Sequence, residues 1–191
     1  MSNQIKNKLI LNQKEFDILK ATQEGLIEPK DFGIKSKYRA SILMRGYLTS
    51  YKIDSNSNFI LNNFRVNVNM NDDMKIINGV SPHISSKTDL ESRTTYREYR
   101  NLNLFVNYSG DILIGKGVIS NLNIRYRLYG TEYEEVFELN IEKGKVVSIK
   151  NLSEKIKLHK LKFKNGDWDI DTQGTEFDNE IVKWLFRDIQ F

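Results

Sequence analysis

Across most of this chain apolar and polar residues trade places at every second position, and that period limits the fold more than any other feature. Successive side chains of a strand point to opposite faces, so alternation marks a half-buried strand, whereas a helix face repeats every three to four residues. Phe64, Val66, Val68 and Met70 alternate with Arg65, Asn67 and Asn69. Leu102, Leu104, Val106 and Tyr108 stand against Asn103, Phe105 and Asn107, and Tyr133, Phe137, Leu139 and Ile141 against Glu134, Glu138, Asn140 and Glu142. Residues 38–53 and 112–114 carry apolar side chains on both parities, as a strand buried on both sides would. Further strands are expected at 124–129, 146–149 and 156–163. Polar or glycine turns separate them: Asp54 to Asn58, Ser109-Gly110-Asp111, Lys143-Gly144 and Asn165-Gly166.

Two segments break that period. Asn12 with Glu15 three residues on has the form of a capping box, and Phe16 and Leu19 follow on one stripe. Gly25 stands where a helix ends and Pro29 blocks continuation, so a short helix is expected there. Near the other end Thr175 and Asp178 make a second capping pair. Phe177, Ile181, Trp184 and Leu185 form one helical stripe, with Val182, Phe186 and Ile189 beside it. An apolar arc that wide needs cover on more than one side. Val182, Phe186 and Ile189 are therefore candidate self-association residues.

With 191 residues the chain is expected to be one domain, 1–191. A helical arm (1–35) precedes a β-sheet domain (36–172), whose main excursion is a long loop at 71–95, and a C-terminal helix (175–190) follows. The expected fold is mainly β. It is an antiparallel meander of about seven to ten strands, in a strongly curved sheet or partly closed barrel with the two helices packed on it.

Composition removes several functions. The chain has no cysteine, which excludes disulfides, thiolate metal sites and thiol nucleophiles. No apolar run approaches the ~18 residues a membrane helix needs. The first twelve residues hold only Leu9, Ile10 and Leu11 as an apolar stretch, too short for a signal peptide. Abundant Asn and Lys fit an AT-rich bacterial genome, so a cytoplasmic bacterial protein with no membrane partner is expected.

The chemistry on offer is thin. His83 and His159 are the two imidazoles, and nucleophile-elbow, zincin and P-loop patterns are all missing. Ile114-Gly-Lys-Gly117 follows a strand, but a phosphate cradle needs a helix after it, and residues 118–124 read as turn and strand. Close approach between strands explains those glycines better. Asp167, Asp169 and Asp171 have the opening spacing of a calcium loop. Thr172 stands where that loop needs glycine, and Asp178 where it needs glutamate. No catalytic residue, metal or cofactor is assigned, although distant carboxylates could still converge in space.

Lys and Arg number 29 against 25 Asp and Glu, a formal charge of +4 that hides an uneven spread. Glu132, Glu134, Glu135, Glu138 and Glu142 crowd one segment, while a lysine strip at 155–164 holds Lys155, Lys157, Lys160, Lys162 and Lys164. Pairing of the two across a sheet accounts for them better than a polyanion site does. Arginine and tyrosine interleave at Tyr96-Arg-Glu-Tyr-Arg100 and at Arg125-Tyr-Arg127 with Tyr129. Both residue types anchor protein interfaces, so Arg97, Arg100, Arg125, Arg127 and Tyr129 are the candidate partner-binding residues.

Three blocks carry a resemblance. They are Arg45-Gly-Tyr47 running on to Ile53, the stretch from Leu104 through Tyr108 and Gly110 to Gly117, and Tyr133 through Leu139 with Glu142-Lys-Gly-Lys-Val146. Together they resemble a family of uncharacterised bacterial proteins with an R-G-Y-x-x-T-W-E-I strand and a Y-E…E-x-G-K hairpin. Ser50, Tyr51 and Lys52 stand where that family has Thr, Trp and Glu. The resemblance implies a shared β architecture, with no activity and no site residues.

The leading functional expectation is a non-enzymatic interaction protein, of immunity or inhibitor type or a subunit of a complex, with another protein or itself as partner. The alternative is a small-ligand binder of calycin-like barrel form. Nucleic-acid binding through 155–164 ranks third.

Overall fold

The computed structural model describes residues 5–22, 26–37, 45–84, 94–118, 133–155 and 157. Among the described residues ten strands are found: β1 Lys8–Leu11, β2 Lys14–Ala21, β3 Tyr47–Ile53, β4 Phe59–Asn69, β5 His83–Ile84, β6 Thr94–Tyr99, β7 Leu104–Phe105, β8 Gly110–Val118, β9 Tyr133–Glu142 and β10 Lys145–Asn151. They form one sheet in the order β10-β9-β8-β2-β1-β3-β4-β6-β5, with β7 also paired to β4. The protein is mainly β, as the alternation requires.

Two features of the expected fold are corrected. The sheet is mixed, because β1 pairs antiparallel with β2 but parallel with β3, Lys8 lying opposite Ser50. Among the described residues it also does not close into a barrel; β10 and β5 end the path. One end is nonetheless stitched together. Asn58, in the β3–β4 turn, bridges Lys145. Phe59 N donates to Gly144 O at 2.7 Å, Gly144 N to Tyr108 O at 2.7 Å, and Val106 N to Phe59 O at 2.9 Å. The curved sheet therefore folds over a single core.

The expected N-terminal helix is a hairpin. Asn12 and Gln13 have φ of 49° and 64°, the paired left-handed geometry of a two-residue turn. Leu9, Leu11, Phe16 and Ile18 are all buried, at a period of two, and β2 pairs onward with β8. Burial between two neighbouring strands outweighs a local cap, which is a weak signal on its own.

β4 is long because it changes parity midway. Ser50 lies opposite Asn63 and Tyr51 opposite Leu61, so Asn62 is an extra residue, a bulge. Phe59 and Leu61 before it and Phe64, Val66 and Val68 after it then all face the core. The first part of β4 pairs with β7 and the second with β6. Of the 71–95 loop, residues 77–80 make a tight turn, with Ile77 buried, and His83 is exposed on β5. Ile114-Gly-Lys-Gly117 is part of β8, and a Cβ on Gly115 would meet the Tyr133 ring at 2.7 Å. The close strand approach expected there is what is found.

Two glutamates of β9 meet lysines from outside the 155–164 strip. Lys150 reaches Glu138 at 3.3 Å and Lys14 reaches Glu135 at 3.6 Å. The expected strands at 124–129 and 156–163, the start of the 38–53 strand, His159, the Asp167–Asp171 motif and the C-terminal helix with Val182, Phe186 and Ile189 lie outside the described residues, apart from Lys157. So do Arg125, Arg127 and Tyr129.

Candidate functional site

β6 is where the expected partner-binding residues can be placed, and it separates them. Tyr99, Arg97 and Thr95 lie opposite Phe64, Val66 and Val68, so they share the core-facing side. Arg97 is only 3% exposed, which corrects the exposed position expected for it. Its Nη1 donates to Asp73 O at 2.5 Å and its Nη2 to Asp72 O. Tyr99 donates its hydroxyl to Lys75 O at 2.9 Å. Two side chains of one strand thus tie down the segment that leaves β4. The period of two alone could have revealed this, since it puts Arg97 and Tyr99 on one parity.

Arg100 is where it was expected, at the surface. It meets Glu98 Oε2 at 2.7 Å, and Glu98 also faces Arg65 Nε at 3.5 Å. The Arg65 guanidinium lies over the Tyr96 ring, 4.0 Å from its centroid, a geometry that holds a cation flat. A surface groove of about 390 Å³ runs along Asn63, Arg65, Glu98, Arg100 and Asn101. On the other side of β6 a second cleft of about 400 Å³ opens between residues 33–35 and 69–75, with Arg97 in its lining.

Apolar residues that the sequence did not single out gather at the same end. Met74 is 62% exposed, Ile76 68% and Ile84 46%. Ile84 lies directly opposite Arg97 on the edge strand β5. Opposed residues point to the same face, so Ile84 flanks the 72–75 segment that Arg97 holds. Met74, Ile76 and Ile77 interrupt an otherwise polar stretch, and that was the available signal.

A second polar cluster joins the chain start to β9. Tyr133 donates to Asp17 Oδ2 at 2.8 Å and accepts from Lys6 Nζ at 3.0 Å, and Lys8 meets Asp17 at 2.7 Å. Burial pulls the Lys8 ammonium pKa down, but Asp17 and Glu15 outweigh it and hold the value above the ordinary one. Charges that neutralise each other in this way position strands. Among the described residues no group of three His, Asp or Glu gathers that could hold a metal ion.

No family model, no curated protein and no solved structure matches this chain. The first block of the resemblance has structural work in the fold. Arg45 Nη2 donates to Asn7 Oδ1 at 2.6 Å and its Nε to Tyr47 O at 2.9 Å. The Tyr51 hydroxyl accepts Ile27 N at 3.1 Å.

Tyr51 yields a pH prediction. Its phenol is fully buried, and desolvation pushes its pKa up to about 12. The neutral phenol is the folded form, so its contribution is complete below pH 10 and is lost as pH rises toward 12. The loss is on the order of 2–3 kcal/mol. Urea unfolding between pH 9 and about pH 12 should show this fall, and Tyr51→Phe should flatten it while costing about 1–2 kcal/mol at neutral pH through the orphaned Ile27 N–H.

Proposed function

We propose that this chain is a non-enzymatic cytoplasmic interaction protein, of immunity or inhibitor type or a subunit of a bacterial complex. It docks through the β5–β6 end of its sheet. The observation that carries this is the exposure there of three large apolar side chains, Met74, Ile76 and Ile84. Lys35 and Lys75 lie on the neighbouring cleft. An apolar centre with a cationic rim suits a partner protein whose surface is apolar within an acidic border. The C-terminal segment, with its wide apolar arc, is read as a helix packed on the sheet.

The core gives the ligand-binding barrel alternative no support. Tyr51, Phe59, Phe64, Tyr99 and Tyr108 fill the described interior with almost no exposure.

The test compares retained proteins rather than capture alone. Immobilised wild-type chain, a Met74→Asp/Ile76→Asp variant and a Val147→Asp control are each incubated with bacterial lysate. Val147 is exposed on β10, far along the sheet from β5. A partner should be held by wild type and by the control, and weakened about tenfold or more by the double substitution, as loss of central apolar anchors does. If no retained protein depends on Met74 and Ile76, the proposed surface is wrong.

A further inference from the structure

Arg97 presents a problem the fold leaves unsolved. It is a buried guanidinium with five N–H groups, and among the described residues its hydrogen bonds go only to the carbonyls of Asp72 and Asp73. Its Nε has no partner among the described residues. A carbonyl offers partial charge, whereas a buried cation ordinarily faces a full negative charge. None is supplied by the ladder. The residues opposite Arg97 are Val66 on β4 and Ile84 on β5, and its neighbours on the same face are Thr95 and Tyr99. The Oγ1 of Thr95 is likewise buried without a partner. The nearby carboxylate of Asp72 is occupied by Asn69, accepting its backbone N at 3.1 Å and its Nδ2 at 3.3 Å.

The same arginine lines the cleft of about 400 Å³ between residues 33–35 and 69–75. Lys35 and Lys75 are exposed in that lining, and Asp72 and Asp73 complete its charged set, three cations against two carboxylates. A cleft of this size suits a small molecule. We propose that it binds a small oxyanion, a phosphate or carboxylate group, which serves as the missing counter-charge of Arg97 and is held at its rim by Lys35 and Lys75. After the two carbonyl bonds the guanidinium keeps the Nε–H and one N–H on each Nη, and binding a full anion would give the buried cation its partner. This site shares Lys35 and Lys75 with the proposed docking surface, but its argument rests on Arg97 and does not depend on that function.

The test is an NMR titration of the full, ¹⁵N-labelled chain with sodium phosphate, and separately with sodium acetate, against sodium chloride at equal ionic strength. A saturable shift of the Arg97 Nε–H resonance, together with amides of 34–35 and 69–75, is expected from at least one oxyanion but not from chloride. Phosphate and acetate arms show which oxyanion is preferred. Arg97→Met should weaken that binding about tenfold or more, and removal of each rim lysine a few-fold, as charge-assisted hydrogen bonds are lost. Should Arg97→Met fail to fold, the Lys35→Ala/Lys75→Ala variant decides, because both side chains are exposed. Shifts that chloride reproduces, binding that never saturates, or an affinity unchanged in the folded variants would overturn the site.

Discussion

Replacing Gly144 with alanine should destabilise this protein by about 3–5 kcal/mol, the sum of left-handed backbone strain and a steric conflict at the stitched end of the sheet. Lys143 and Gly144 have φ of 47° and 77°, the turn that joins β9 to β10. A Cβ on Gly144 would meet Val106 O at 2.5 Å and the Phe105 ring even more closely. The half-exposed Phe105 ring can swing aside, but Val106 O cannot retreat cheaply, because Val106 N is bound to Phe59 O and the Gly144 N–H and C=O are both used in crossing the seam. In a chain of this size the melting temperature should fall by roughly 10 °C or more. Gly79→Ala is the control. Gly79 also has φ of 77° but nothing within 4 Å of its would-be Cβ, so only strain remains, about 1–2 kcal/mol. Equal melting temperatures for the two variants would mean that the seam is slack.

Phe59→Ala should cost about 3–5 kcal/mol, the usual penalty for deleting a buried aromatic ring. Phe59 is fully buried, stacked on Tyr51 at 4.7 Å between centroids and tilted against Tyr108 at 6.0 Å. It belongs at once to β4 and to the seam, so its loss leaves a cavity where the two halves of the sheet meet. Phe105→Ala removes the same ring from a site that is 46% exposed and should cost well under half as much. Chemical denaturation of both variants measures the contrast. Similar losses would place the energetic centre of the fold elsewhere.

The strands were legible in the sequence because a sheet buried on one face must alternate, and Phe64, Val66 and Val68 or Leu139 and Ile141 had no other economical reading. What was not legible came from pairing at a distance. Asn12 and Glu15 carry a helix-start signal, yet Leu9, Leu11, Phe16 and Ile18 are all buried only as a hairpin. The bulge at Asn62 hides the continuity of β4, since parity reverses there. Arg97 was a candidate partner-binding residue by residue type, although its parity with Tyr99 put it inside. The cleft beside it unites residues 33–35 with 69–75, and no local pattern could announce that meeting.

The arrangement of β1 carries a consequence for how the chain is made. β1 is the strand that joins the two halves along the sheet, one holding β2, β8, β9 and β10 and the other β3 to β7. The second half is continuous in sequence, but the first is split around it. Thr22 and Asp111, which close the β2–β8 pair, are 89 residues apart. At ordinary synthesis speeds a nascent chain therefore carries an unpaired β2 edge for roughly 5–20 s before its mate is made. During that interval β2 lacks the β8 strand that pairs its open edge. A chaperone that shields such an edge would raise the yield of soluble protein, and slowing translation would lower it.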